Sequence, residues 1–406
     1  MGRFDILFEN DRTLSHEKPN RNVTDKVTGL PDGVWARGGV YRTVSEYKTR
    51  EAYGARPLGN PDLMYVMRDF GAKNSVVFLD LETTGLSGGT GTYAFLCGLG
   101  RVEGDAFMVT QYFLKSPAYE AQWLSAIDAD IPEGSTLVTY NGKTFDVPML
   151  VTRHIMTRLR AHWESSPHID LLHFSRKLYR GYLESCSLGN VERRVLGVRR
   201  SGEDVPGSMI PYLYMRYLRE RDASPLRGVF YHNELDIASL AALYCHVARA
   251  LDGDSASGPE LIRAGDIWSA SGRHDRASAI WDKAAAHPDT RAEACARRGY
   301  LAKKNKDYAA AFGHFTSALD EMSSRHGRNA PHDVFVAALE ELAKIEEHRF
   351  ASPERALGYV RTALDILKRD RYYRGHVDAD ASRAMRRRQA RLERKILSGG
   401  NTEEMK

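Results

Sequence analysis

The chain has 406 residues, of which 42% are hydrophobic and 27% charged, with a formal net charge of +5. That length calls for two or three domains, and the composition is that of an ordinary globular protein rather than a disordered one. No apolar run approaches the roughly 20 residues a membrane helix needs. The opening MGRFDILFENDR lacks the basic and then apolar stretches of a signal peptide. Cys97, Cys186, Cys245 and Cys295 lie far apart, so neither a zinc knuckle nor a disulfide framework is expected. The expectation is a cytoplasmic protein with no membrane contact.

Residues 1–70 are rich in Gly, Arg and Asn and read as an irregular N-terminal arm, with Val40 to Tyr47 as one strand in it. From Ser75 the pattern sharpens. Val76-Val77-Phe78-Leu79 is a short continuous apolar run, as in a strand buried on both faces. Two strand-like runs follow, Tyr93 to Val102 and Ala106 to Leu114, with Gly104-Asp105 as the turn between them. Ala118 to Ala129 reads as a helix, Ser135 to Tyr140 as another buried strand, and Pro148 fits the first turn of a helix reaching about Arg160. The remainder to Leu251 is mainly helical. Residues 71–252 are therefore predicted to form an α/β domain, a mixed sheet flanked by helices.

Strand signals vanish after Ser257. Gly265, Ala277, Trp281 and Ala284 recur 34 residues later as Gly299, Ala311, Phe315 and Ala318. That is the period and the small/aromatic/small pattern of a tetratricopeptide repeat. A weaker third copy holds Ala356, Val360 and Ala363. Residues 257–370 are expected to be an all-α domain of stacked repeats, able to take a protein partner or else simply built of α-hairpins. Gly, Ser, Asp and Ala cluster at residues 251–257, where the two parts are expected to separate. A basic helix or tail, 371–406, ends the chain.

The residues with chemistry lie in three segments. In Phe78-Leu79-Asp80-Leu81-Glu82-Thr83, strand alternation points Asp80 and Glu82 the same way. Two like charges so close need a compensating cation, and hard divalent ions take oxygen ligands; a strand ending in a polar turn is the alternative. In Tyr140-Asn141-Gly142-Lys143-Thr144-Phe145-Asp146, Asn-Gly makes a turn and Asp146 stands at a helix start, as a carboxylate of the site or as a cap. In Tyr231-His232-Asn233-Glu234-Leu235-Asp236, helical spacing aligns His232 and Asp236 with the apolar stripe Leu240, Leu243 and Val247, while Glu234 falls on a different face, in solvent. Asp170 suits a helix cap better than an outer carboxylate. Between Arg176 and Arg200, Arg176, Lys177, Arg180, Arg193, Arg194, Arg199 and Arg200 alternate with Tyr179 and Tyr182. That pattern fits a phosphate backbone with unstacked bases, or a solvated helix face.

Together the three segments resemble the DEDD family of ribonuclease-H-like exonucleases. A finer likeness is to the YprB-like group. It rests on Ser87-Gly88-Gly89-Thr90-Gly91-Thr92 before Ala94-Phe95-Leu96, on Leu183-Glu184-Ser185-Cys186-Ser187-Leu188, on Asp204-Val205-Pro206-Gly207 and on the appended repeats. The resemblance implies a ribonuclease-H-like fold over residues 71–252 and two Mg²⁺ or Mn²⁺ ions held by Asp80, Glu82, Asp146 and Asp236. It implies a DNA or RNA substrate, single-stranded or with a free end, trimmed from its 3′ end. Thr83, Asn141, Arg176, Lys177, Arg180, Arg193 and Arg194 would contact that strand. The family's helper is a Tyr four residues before the last Asp or a His five before it, whereas here Tyr231 and His232 stand in reverse order. Four residues is nearly one helical turn, which favours His232 as the base over Tyr231. The Gly-rich run lacks the Lys-Ser/Thr ending of a Walker loop, and serves as a turn or as a close approach to a strand. A nuclease-like scaffold acting through its repeats is the alternative function.

Overall fold

The computed structural model describes residues 27–36, 39–58, 64–73, 75–85, 91–255, 257–324, 332–374 and 379–403. The Gly-rich run 86–90 and the first 26 residues of the expected arm lie outside them. A seven-stranded sheet is built from β1 (Val34–Trp35), β2 (Val40–Lys48), β3 (Val76–Thr83), β4 (Ala94–Glu103), β5 (Ala106–Leu114), β6 (Thr136–Thr139) and β7 (His168–Asp170), in the order β1-β2-β5-β4-β3-β6-β7. β3, β4 and β5 form an antiparallel meander, and β6 and β7 add in parallel. β2 pairs with β5 over nine residues, from Val40 opposite Leu114 to Lys48 opposite Ala106. The segment 40–48 thus belongs to the sheet itself rather than to an arm outside it. β7 has only three residues, too few for a periodic signal.

Strand alternation splits the core in two. Val77, Leu79 and Leu81 of β3 face α1 (Glu120–Asp130), α2 (Asp146–Met156) and α4 (Ile210–Glu220), where Trp123, Leu150 and Tyr214 fill the layer. Val76 and Phe78 face the other way, toward α3 (Leu171–Tyr179) and the 26-residue α5 (Arg227–Asp252). Asp80 and Glu82 continue this second face, so they lie under α5.

α5 can descend onto the sheet because β4 carries glycine there. A Cβ on Gly98 would stand 2.5 Å from Asn233 Oδ1, and one on Gly100 would stand 2.6 Å from Ile237. Gly98 is also the cross-strand partner of Asp80. The close approach therefore brings the start of α5 directly over the first carboxylate.

Beyond Gly253, which ends α5 in a left-handed conformation, the chain is helical: α6 (Gly258–Ala270), α7 (His274–Ala285), α8 (Arg291–Lys304), α9 (Tyr308–Ser324), α10 (His332–His348), α11 (Pro353–Arg374) and α12 (Ala379–Glu403). Gly265 and Gly299 lie 34 residues apart and play the same part. A Cβ on either would strike the ring of the aromatic sixteen positions later, Trp281 at 2.3 Å and Phe315 at 2.7 Å. The apolar layer under α5 runs on without a break into Leu261, Trp268 and Trp281. Trp268 is fully buried against Phe70, and its indole donates to the Leu251 carbonyl at 2.7 Å. Asp69 meets Arg273 at 2.9 Å. The end of α5 at Gly253 divides the chain by secondary structure, while the core is shared across it. No described helix is long and apolar enough to cross a membrane.

Candidate active site: four carboxylates under one helix

Each carboxylate arrives on a different support. β3 supplies Asp80 and Glu82. Asp146 is the first residue of α2, carried there by the Asn141-Gly142 turn, with Asn141 in the left-handed region. That turn is tethered by Asp170, whose two oxygens accept from the amides of Asn141 at 2.8 Å and Lys143 at 3.1 Å. Asp170 also caps α3 by accepting from Leu172 N at 3.0 Å. Its role is therefore to hold the loop that presents Asp146. Asp236 and His232 stand one turn apart on α5, with His232 Nε2 at 3.6 Å from Asp236. Ligand atoms of Glu82, His232 and Asp236 all lie within 4.8 Å of one another. Tyr231 points elsewhere, since its hydroxyl accepts from Ser201 Oγ at 2.9 Å. Glu234 is half-buried and accepts from Tyr47 at 2.5 Å, so it is not the freely solvated residue expected of its helix face.

The electrostatics of this set are unfavourable in the absence of a cation. Burial pushes the Asp80 carboxyl well above its usual range, and Asp236, Glu82 and Asp146 push it further. Glu82 is raised in the same way, by burial and then by Asp236 and Asp146. Burial lifts Asp146 to about 7, against the pull of its backbone hydrogen bonds. Asp236 is also raised by burial, but Arg200 and His232 hold it back. The four groups therefore feel one another; Arg200 pulls on Glu82 as well as on Asp236, while no cationic side chain among the described residues offsets Asp80 or Asp146. Oxygen donors in such excess fit a hard divalent ion.

Among the described residues, Arg200 is the guanidinium that enters the cluster, although in the sequence it stands merely within a basic stretch. Its guanidinium donates to Glu192 at 2.6 and 2.9 Å, and to Asp236. Burial alone would lower its pKa, but Glu192 and Asp236 more than reverse this. Asp204, at the head of the Asp-Val-Pro-Gly run, accepts from His232 Nδ1 at 2.7 Å. Asn233 is fully buried and donates to Asp80 at 2.9 Å, while accepting from Gln111, which in turn accepts from Thr43. Glu192 and Gln111 carry no local motif of their own, whereas Asp204 heads the Asp-Val-Pro-Gly run and Asn233 lies within the third segment. Only Asn233, four residues before the buried Ile237, bore a signal in helical phase.

The residues expected to contact a strand are dispersed. Arg193, Arg199, Asp204, His232 and Asp236 line one cleft of about 580 Å³. Arg176, Lys177 and Arg180 line another of about 700 Å³ against Arg263 of α6. Arg194 faces a third, of about 520 Å³, with Tyr182 and His246. Asn141 is exposed and its side-chain oxygen accepts from Thr144 at 3.0 Å. Thr83 is buried and donates to the Gly85 carbonyl at 2.8 Å.

A meander extended by parallel strands, with an acidic cluster under a long helix, defines the class. Residues 77–248, less than half of the chain, match the RNase H superfamily, and the mixed sheet flanked by helices fits that fold. Over 188 residues, 45% of the chain, the sequence is 41% identical to the uncharacterised protein YprB of Bacillus subtilis (strain 168). The match spans 44% of that relative's length. Among solved structures, the chain is similar to the family B DNA polymerase of Pyrobaculum calidifontis, with a TM-score of 0.33 and 13% identity over 48% of this chain and 29% of that one. Escherichia coli exonuclease I in complex with a dT13 oligonucleotide gives 0.27 and 15%, over 39% of this chain and 43% of that one. Likeness at that level carries no argument about activity.

Proposed function

We propose that the protein is a metal-dependent nuclease of the DEDD type that trims DNA or RNA from the 3′ end. The observation that carries this reading is the convergence of buried oxygen donors beside α5, where ligand atoms of Glu82, His232 and Asp236 lie within 4.8 Å of one another and Asp146 is near enough to repel both Asp80 and Glu82. Asp80, Glu82, Asp146 and Asp236 would hold two Mg²⁺ or Mn²⁺ ions. When bound, such ions polarise a phosphoryl oxygen and lower the pKa of water.

The chain's own groups do the rest. The Asp204 carboxylate, an acceptor 2.7 Å from Nδ1 of His232, favours a proton on that nitrogen over the Arg200 contact at 3.2 Å, and this leaves Nε2, on the Asp236 side, to take a proton from the attacking water. Asn233 keeps Asp80 turned toward its neighbours. Arg193 and Arg199, at the rim of the cleft, draw a polyanion in. The 34-residue recurrence of Gly265/Trp281 and Gly299/Phe315 supports a tetratricopeptide-like array, whose stacked helices would take a protein partner in the cytoplasm.

The test is incubation with end-labelled DNA and RNA oligonucleotides in Mg²⁺, Mn²⁺ or EDTA. Metal-dependent shortening from the 3′ end supports the reading. One observation favours a second one: Arg200 already neutralises Asp236 and Glu192, which suits a silent scaffold. In that case neither cleavage nor a melting shift with saturating Mn²⁺ occurs.

A further inference from the structure

We propose that a single strand of nucleic acid runs from the carboxylate cleft along one track to a basic groove that α6, beyond the ribonuclease-H-like domain, helps to build. This rests on the nucleolytic reading of the site. It makes the helical region part of the substrate-binding surface.

The track is legible in shared walls. The carboxylate cleft and a neighbouring cleft of about 410 Å³ share Ser187 and Leu188. That neighbour also holds Asn141, and it shares Arg176 with the basic groove of about 700 Å³. The path thus passes from Asp236, the one of the four carboxylates that lines the first cleft, by Ser187 and Asn141 to Arg176, each cleft sharing a lining residue with the next.

The groove at its end suits phosphate. Arg176 and Lys177 project from α3, Arg180 directly follows it, and Arg263 projects from α6. None of the four belongs to an ion pair among the described residues. The acids near them, Asp266 and Glu293, both pair with Arg297, at 2.9 and 3.2 Å, and Glu293 is felt by Arg263 as well. Four such cations on one concave wall repel one another, and a polyanion removes that repulsion while releasing its own counterions. Arg263 also lies 5.5 Å from the ring centre of Tyr182, which is 57% exposed, so an aromatic face for an unstacked base borders the groove. A duplex, with its bases stacked inside, has no use for such a face.

Arg263 is held in register with α3. Tyr179 of α3 and His246 of α5 both bond Glu260, one turn before Arg263 on α6, each at 2.8 Å. The groove is therefore preformed across the end of α5 at Gly253.

The experiment is fluorescence anisotropy on the full chain in EDTA, where no cleavage occurs, with labelled oligo-dT of about 4 and about 16 nucleotides. In the wild type the longer probe should bind at least about tenfold more tightly, and Arg263→Glu should abolish that gain and cut the salt slope by about one. Arg263→Gln guards against misfolding and should lose part of the gain, with an unchanged melting curve. The proposal is overturned if Arg263→Glu binds the longer probe like wild type, or if a duplex of the same length binds as tightly and with the same dependence on Arg263. Loss of cleavage in every metal with this binding pattern intact would sink the nuclease and keep the track. Cleavage abolished by Asp80→Asn, with binding indifferent to Arg263, would do the reverse.

Discussion

Glu260 and the Asp80–Glu82–Asp146–Asp236 set are both acidic and both withdrawn from water, yet their surroundings treat them oppositely. Glu260 receives His246 and Tyr179 at 2.8 Å and also Ser255. Although burial would raise it, those donors hold its carboxyl down at about 2. The carboxylates under α5 are pushed up instead, first by burial and then by one another, with too few donors to offset this. A satisfied buried charge fastens helices together. An unsatisfied cluster is stability given up, which a bound cation would restore.

The comparison breaks most readily at Asp80. Asp80→Asn keeps the shape that accepts from Asn233 and removes a charge. Cleavage should disappear together with the rise in melting temperature on adding Mn²⁺, while the metal-free protein gains on the order of 1 kcal/mol as repulsion is relieved. At the other acid, Glu260→Gln should cost about 2–4 kcal/mol with or without metal. If both variants shift metal-free melting the same way, the contrast between the two sites is mistaken.

Cutting the chain at residue 254 comes next. Sequence pattern suggests a fragment that folds alone. The continuous core suggests otherwise, because removing α6 and α7 strips Trp268 and Trp281 from the layer beneath α5. We expect residues 1–254 to be insoluble or to bind a hydrophobic dye, as gel filtration and dye fluorescence would reveal. A monodisperse fragment with a sharp melting transition would mean the junction contributes little.

His232 offers a smaller effect. His232→Ala should keep the Mn²⁺ melting shift and lose about 10²–10⁴ in rate, with Asp204→Asn part of the way. Tyr231→Phe gives up only the bond to Ser201 and should be close to wild type. A crippled Tyr231→Phe beside an active His232→Ala would reassign the base.

The smallest effects are in pH. Asp146 is raised from 3.8 to about 7, so the metal-free folded state holds its proton more tightly than the unfolded chain does. Its contribution is present at low pH and is lost as pH rises through that window. Glu260 is lowered from 4.5 to about 2, so its contribution is present above 4.5 and is lost as pH falls toward 2. In EDTA, the stability gained by Asp146→Asn over wild type should therefore be larger near pH ~8 than near pH ~5. The same gain at both values would show that Asp146 is ionised throughout.

The comparison also separates what each level of description decides. Strand alternation put Asp80 and Glu82 on one face, and helical spacing put His232 and Asp236 on one stripe, because both depend only on local backbone period. The recurrence of Gly265 and Trp281 at Gly299 and Phe315 was equally local. The partners came only from the tertiary structure. Arg200 looks like any other member of a basic run until Glu192 and Asp236 are found on either side of it. Glu260 looks like a helix-start acid until His246 and Tyr179 reach it from two other helices. β2 joins β5 across more than fifty residues of intervening chain. A short-range pattern reports which way a side chain points. What it points at is set by which elements pack together, and here that depended on glycines in β4 that let one helix come close enough to the sheet.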